Sequence, residues 1–86
     1  MFVDASALVA ILASEDGADA LLMKLQQADI RHTSPMAIWE TSLGLGRHRK
    51  IAPTDALALV MDFLKLFPVE VMPVDRDAGE LAVIAY

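Results

Sequence analysis

The hydrophobic pattern opens on a short apolar run and then changes to helical spacing. Residues 1–4 are apolar up to a single carboxylate, Asp4, which predicts a strand that ends at this acid. Apolar residues then recur three and four positions apart over residues 5–14, and this spacing predicts a helix. The polar segment 15–17 separates that helix from a second amphipathic helix, which is predicted over residues 18–28.

A second round of strand and helices follows. Residues 30–33 predict a short strand, after which Ser34 can cap a helix whose first turn suits Pro35. This helix continues into a basic cluster. Another helix is predicted from Pro53 to residue 67, and it is apolar almost all round, so we expect it to be buried on more than one side.

The pattern closes with a third strand over residues 69–74 and a last helix from residue 76 onward. The order is therefore β-α-α-β-α-α-β-α. Strands that alternate with helices imply a parallel sheet covered by helices. The predicted fold is α/β, a three-layer parallel-sheet fold in which residues 1–86 form one domain.

Composition narrows the possible functions. The 86 residues make at most one small domain, yet 56% of them are hydrophobic, above the usual share of about 45–50%. We therefore expect a partner surface, an oligomer or a larger assembly. The net charge of −5 argues against a general nucleic-acid coat but not against a nuclease with an acidic metal site.

Other protein classes are excluded by what the sequence lacks. There is no cysteine for a disulfide or a thiolate zinc site. No apolar run approaches the length of a membrane span, and the acid at position 4 does not suit a targeting leader. These observations favour a soluble cytoplasmic protein.

Asp4 has two interpretations. An Asp before a helix commonly caps it by accepting backbone N–H groups, and that role needs no function. Ser6 offers a competing cap, which would free Asp4. At the carboxyl end of a parallel strand, where open α/β sheets bind ligands, the carboxylate would instead be available to a metal ion.

Glu40 is the second candidate acid. Most helical glutamates are solvated surface residues, but Glu40 adjoins large apolar residues rather than other charges. If its helix crosses the sheet, Glu40 can lean toward the end of the first strand. Two carboxylates there would form an oxygen site for Mg²⁺ or Mn²⁺, which can activate water at a phosphodiester.

Two further features of the predicted third helix have alternative explanations. Arg47, Arg49 and Lys50 could contact RNA phosphates, but cations at a helix C-terminus are also favoured by the helix dipole. Gly44 and Gly46 fall inside or at the end of that helix rather than after a strand. Close helix packing or fraying therefore explains them better than a phosphate-binding loop.

Several motifs resemble the PIN domain, specifically the VapC-type toxin ribonucleases. Residues 3–10, Val-Asp-Ala-Ser-Ala-Leu-Val-Ala, are similar to the N-terminal motif of that family. Residues 34–35 with 39–41, Ser-Pro and Trp-Glu-Thr, resemble its second motif. Residues 53–56 and 74–82 resemble its later segments, so the similarity covers essentially all of the chain.

The resemblance implies a metal-dependent endoribonuclease that uses Mg²⁺ or Mn²⁺ and cleaves RNA, often tRNA or rRNA. Carried over residue by residue, Asp4 and Glu40 would be the catalytic metal ligands. Ser6 would be a polar group near the metal or phosphate. The family usually pairs with a VapB-like antitoxin. We interpret the apolar surplus on the helices as an antitoxin groove or a homodimer surface.

The sequence departs from the family after Tyr86, because the remaining acids and strands of the family have no counterpart there. In the family sheet the first strand is central, so residues 1–4 would be left as an apolar edge. We therefore expect a PIN-like fold that is incomplete at its C-terminus: a fragment, a proteolysed product, or a chain completed by exchange with another copy. Two carboxylates alone make a poor metal site, and we expect the chain to be inactive by itself.

The main alternative is a non-enzymatic, PIN-derived interaction module that binds a protein partner through its apolar helices. The length of the whole polypeptide and Mg²⁺-dependent RNA cleavage that Asp4→Asn abolishes would distinguish the two. A flavodoxin-like receiver is a weaker third possibility. A receiver would carry an acid pair after the first strand, and here there is only Asp4.

Overall fold

The computed structural model describes residues 1–73 as a mixed α/β fold with four helices and a small parallel sheet. The order of elements follows the predicted one as far as residue 73. The helices are α1 (Ala5–Leu12), α2 (Ala18–Gln27), α3 (Pro35–Arg49) and α4 (Pro53–Leu66), and the strands are β1 (His32–Thr33) and β2 (Glu70–Val71). The predicted last helix, from residue 76 onward, lies outside the described residues.

The sheet is parallel, as predicted, with β1 between the N-terminal segment (residues 1–3) and β2. Phe2 forms a parallel bridge with His32. The Val3 amide donates to the His32 carbonyl at 2.8 Å, and the His32 amide donates to the Met1 carbonyl at 3.0 Å. On the other side of β1, Thr33 pairs with Val71. The predicted strands are therefore present, but they are shorter than the hydrophobic runs that predicted them.

Capping residues define both ends of α3. Ser34 is the N-cap of α3, and its hydroxyl accepts the Ala37 amide at 3.1 Å, with Pro35 in the first turn as predicted. At the other end of α3, Lys50 adopts a left-handed conformation with φ of 56°, and its amide donates to the Gly46 carbonyl. A left-handed residue ends a helix because it cannot continue the right-handed turn.

The core lies where α1, α3 and α4 pack together over the sheet. Its fully buried side chains include Leu8, Leu45 and Val60. Gly44 allows α1 and α3 to approach closely, because a Cβ placed on it would lie 3.2 Å from Val9 Cγ2. Close helix packing, one of the two explanations for the glycines of α3, is therefore confirmed at Gly44.

The expectation that α4 is buried on more than one side is wrong for the described part of the chain. One face carries the buried residues Ala56, Val60, Phe63 and Leu64. On the two flanks of this face, Leu57, Leu59, Met61 and Leu66 stay exposed. The reason is that α4 packs mainly against α3, which covers only one side of it. Across residues 1–73, no helix combines the length and apolarity that crossing a membrane requires.

Candidate metal and phosphate site

Asp4 follows the N-terminal segment and caps α1, so the structural interpretation of this acid is correct. Its Oδ1 accepts the Ala7 amide at 2.8 Å and the Ser6 hydroxyl at 2.9 Å. Both bonds fall on one oxygen. Among residues 1–73, no hydrogen bond reaches Oδ2 of this exposed carboxylate. The cap therefore leaves one carboxylate oxygen free for a ligand.

The expected competition between Ser6 and Asp4 for the cap is not observed. Asp4 has the extended backbone of an N-cap residue, with φ of −84° and ψ of 170°, whereas Ser6 already lies inside the helix. From that position its hydroxyl donates to the carboxylate instead of capping the helix. Ser6 therefore orients Asp4 rather than replacing it.

Glu40 lies on the exposed side of α3 and lines a cavity of about 430 Å³ between α1 and α3. Ser6 lines the same cavity, as do Glu15 from the turn after α1 and Arg47 from the last turns of α3. The remaining lining residues are Ala5, Val9, Leu43 and Gly44. The structure thus brings Ser6 and Glu40 together, and the Ser6 hydroxyl connects this cavity to Asp4.

The charges around the cavity favour a cation beside a bound anion. Two carboxylates, Glu15 and Glu40, face it together with one guanidinium, that of Arg47. Asp4 adds a third carboxylate next to Ser6. A local excess of negative charge concentrates cations, while an arginine can bind a phosphate through two parallel hydrogen bonds.

The candidate ligands are of the type that Mg²⁺ or Mn²⁺ prefers, but they are few. Within residues 1–73, no group of three or more His, Asp or Glu side chains could together hold a metal ion. Mg²⁺ is commonly bound by one or two carboxylates, with water and substrate phosphate as the remaining ligands. In donor chemistry, Asp4 and Glu40 match such an ion, because both offer hard carboxylate oxygens and the rest of its shell could be water and substrate.

The predicted substrate-binding cations occupy different environments. Arg47 lines the Glu40 cavity, as a phosphate-binding role requires. Arg49 instead donates a 2.6 Å hydrogen bond to the carbonyl of Leu12, at the end of α1. Lys50 is the exposed C-cap residue of α3. Of the three cations, only Arg47 is placed beside the candidate ligand residues.

Sequence analysis did not single out Glu15 or Thr33. Glu15 lines the Glu40 cavity, and its carboxylate lies 3.9 Å from Nδ1 of His48. The polar segment 15–17 predicted a break after α1, but it gave no signal that Glu15 would line a cavity with a residue of α3. Thr33 is fully buried, and its hydroxyl bonds to the Val3 carbonyl at 2.8 Å. A β-branched hydroxyl residue directly before the Ser34 cap was the available signal.

An apolar groove lies on the other side of α3. It has a volume of about 390 Å³ and is lined almost entirely by apolar groups. Trp39 is the most prominent wall residue, with 59% of its surface exposed. The groove also includes Pro35, Ile38, Ser42, Leu43, Pro53, Thr54, Leu57 and Val71. The Ser42 hydroxyl already donates to Ile38 within the helix, so it does not make the groove polar.

Comparison with known proteins identifies the family. The family model of the PIN domain matches residues 1–84, which is nearly the whole chain. A comparison with curated proteins finds no match. PIN domains are a family of nucleases that typically depend on divalent metal ions. Because the family model matches almost the entire sequence, the chain belongs to the PIN domain family.

Proposed function

We propose that this chain carries part of the active site of a metal-dependent endoribonuclease of the VapC toxin type. One observation supports this most: Ser6 and Glu40 line the same cavity, and the Ser6 hydroxyl bonds to Asp4. In the proposal, acids from two distant parts of the sequence, Asp4 and Glu40, act together at the carboxyl end of the N-terminal segment. This is the edge of a parallel sheet at which α/β proteins bind their ligands.

Each residue has a distinct role in the proposal. The carboxylates of Asp4 and Glu40 would hold Mg²⁺ or Mn²⁺, while Ser6 and the Ala7 amide fix the orientation of Asp4 through Oδ1. When bound, such a metal neutralises charge on the scissile phosphate and lowers the pKa of a coordinated water. Arg47 binds a phosphate oxygen at the open side of the cavity and so orients the RNA backbone.

The sparse donor set limits what the chain can do alone. Two carboxylates leave most of the coordination shell to water, so we expect weak metal binding and little or no cleavage by the isolated chain. Metal binding is therefore the more sensitive first test. The proposed substrate is an RNA of the tRNA or rRNA class, and the proposed setting is the cytoplasm.

The test compares Mn²⁺ binding by the wild-type chain, Asp4→Asn and Glu40→Gln, measured by paramagnetic broadening of NMR signals. We expect selective broadening around Ser6 and Glu40 in the wild type and its loss in both variants. Asp62→Asn, which changes an exposed acid on α4, is the matched control and should leave the pattern unchanged. Broadening that persists in both site variants would overturn the assignment of the site.

Cleavage of tRNA and rRNA by the complete polypeptide in Mg²⁺ tests the activity itself. We expect cleavage that EDTA stops and that Asp4→Asn and Glu40→Gln each abolish. Cleavage that survives both substitutions would be inconsistent with the proposal.

The apolar groove favours a second candidate function, a protein-interaction module. Trp39 and Leu57 present apolar surface there that the rest of the described chain does not cover. In the toxin proposal this surface would bind a VapB-like antitoxin or form a homodimer. In the alternative, binding a protein partner through this surface is the whole function. Asp4→Asn would then leave partner binding unchanged, and the protein would not cleave RNA.

A further inference from the structure

Thr33 lies in β1 and forms hydrogen bonds to the chain on both sides of it. Its backbone carbonyl accepts the Met72 amide at 2.9 Å, just beyond β2, and Thr33 pairs with Val71. Its hydroxyl donates to the Val3 carbonyl at 2.8 Å, on the N-terminal segment. The residue is fully buried. Its backbone thus bonds toward β2, and its side chain bonds to the N-terminal segment on the other side of β1.

The Thr33 hydroxyl replaces a main-chain hydrogen bond that the parallel ladder between β1 and the N-terminal segment does not make. In a parallel ladder the residue two positions after His32, which is Ser34, would donate its amide to the Val3 carbonyl. Ser34 instead turns away to cap α3. The Val3 carbonyl would lose its partner at the point where the chain enters Asp4, and an unpaired buried carbonyl is costly. The Thr33 side chain supplies the missing donor.

The same short segment therefore positions both candidate ligands. Val3 immediately precedes Asp4, so the bond at its carbonyl fixes the peptide that leads into the acid. Thr33 immediately precedes the Ser34 cap, which starts the helix that carries Glu40. We propose that Thr33 is a positioning residue that sets Asp4 relative to the start of α3, and this inference rests on the proposed metal site at Asp4 and Glu40.

Removal of the Thr33 hydroxyl should perturb the conformation of Asp4 more than that of other residues. Thr33→Val keeps the shape of the side chain but leaves the Val3 carbonyl without a donor. The Val3–Asp4 peptide is then free to rotate, and the bonds from Ala7 and Ser6 to the carboxylate should weaken. Residues that orient a metal ligand in this way typically change metal affinity by about 10-fold to 100-fold.

The experiment compares Thr33→Val with Thr33→Ser, which retains the hydroxyl, in the full chain. Thr41→Val is the matched control, because Thr41 is also fully buried but its hydroxyl bonds to Ala37 within α3. In metal-free protein, we expect Thr33→Val to shift the Ala7 amide signal and speed its hydrogen exchange. Thr33→Ser and Thr41→Val should leave that signal close to the wild-type position.

Mn²⁺ binding supplies the functional measurement. We expect affinity to fall about 10-fold in Thr33→Val and to be restored in Thr33→Ser. An Ala7 amide that is unchanged in folded Thr33→Val, or an equal loss of affinity in Thr41→Val, would overturn the inference. If Thr33→Val does not fold, slow exchange of the wild-type Thr33 hydroxyl proton with solvent supports it, and rapid exchange overturns it.

The two proposals can fail separately. If the wild-type chain binds no Mn²⁺, the proposed metal site is wrong. The Ala7 amide in metal-free Thr33→Val still decides whether Thr33 positions Asp4. If the wild type binds Mn²⁺ and Thr33→Val binds it equally well, the metal site stands and the positioning role is wrong.

Discussion

The guanidinium of Arg49 donates a 2.6 Å hydrogen bond to the main-chain carbonyl of Leu12, the last residue of α1. The C-terminal carbonyls of a helix lack partners within the helix and carry partial negative charge. An arginine 37 positions later in the chain satisfies one of them here. The bond ties the end of α3 to the end of α1 and so holds together the two helices that border the Glu40 cavity.

Arg49→Ala should therefore reduce stability, whereas Arg47→Ala should not. We expect the free energy of unfolding in urea to fall by about 1 kcal/mol in Arg49→Ala, the typical net contribution of one hydrogen bond, because solvent weakens the effect of the charge at this exposed site. Arg47→Ala is the matched control, and it should instead weaken RNA binding. Equal stability losses in the two variants would contradict this division of roles.

The capping role of Asp4 and the role of its charge can be tested separately. Asn caps helices about as well as Asp, whereas Ala does not. We expect Asp4→Ala to lower the free energy of unfolding by about 1 kcal/mol and Asp4→Asn to leave it nearly unchanged. Both should lose Mn²⁺ binding. Chemical denaturation and metal titration of the same two proteins check this, and an Asp4→Asn variant as unstable as Asp4→Ala would contradict it.

Trp39 should contribute little to the stability of the isolated chain despite its size. We expect Trp39→Ala to change the free energy of unfolding by less than about 1 kcal/mol, as for an exposed residue. Leu45→Ala, at a fully buried position, should cost about 2–5 kcal/mol. A large loss in Trp39→Ala, measured at concentrations where the chain is monomeric, would show that the groove is covered from within the chain.

Lys50 is held in a left-handed conformation that glycine adopts without strain. Lys50→Gly should therefore raise the melting temperature, because relief of the left-handed strain exceeds the backbone entropy that glycine loses by about 0.5–1 kcal/mol. Lys24→Gly, on the exposed side of α2, is the matched control and should lower it because glycine weakens a helix interior. Differential scanning calorimetry on both variants tests this pair.

The parts of the fold that depend on local chemistry could be predicted from the sequence. Ser34 and Pro35 begin α3 because a hydroxyl cap and a proline suit the first turn wherever the chain is placed. Asp4 caps α1 for the same local reason. The pattern of acids, and then the family resemblance, brought Asp4 and Glu40 into one hypothesis. The PIN domain match confirms the family, while the metal site itself stays a prediction.

The parts that depend on distant contacts could not be predicted. The partner of Arg49 is set by where α1 ends in space, so charge pattern alone favoured RNA or the helix dipole. Burial of α4 was overestimated because an apolar surface does not reveal whether another element covers it. The sequence marked Thr33 only as a hydroxyl residue before a helix cap, because its role depends on where the ladder with residues 1–3 ends in the structure.

The absence of a side chain at Gly44 determines the width of the Glu40 cavity. Its missing Cβ would lie 3.2 Å from Val9 Cγ2, so the spacing of α1 and α3 at the base of the cavity is set by backbone against side chain. An added methyl group would require Val9 to yield by a few tenths of an ångström. The substitution would act as a wedge between the helices that carry Ser6 and Glu40. Gly44 is thus a position from which the distance across the cleft could be tuned while every charged side chain at the cavity is kept.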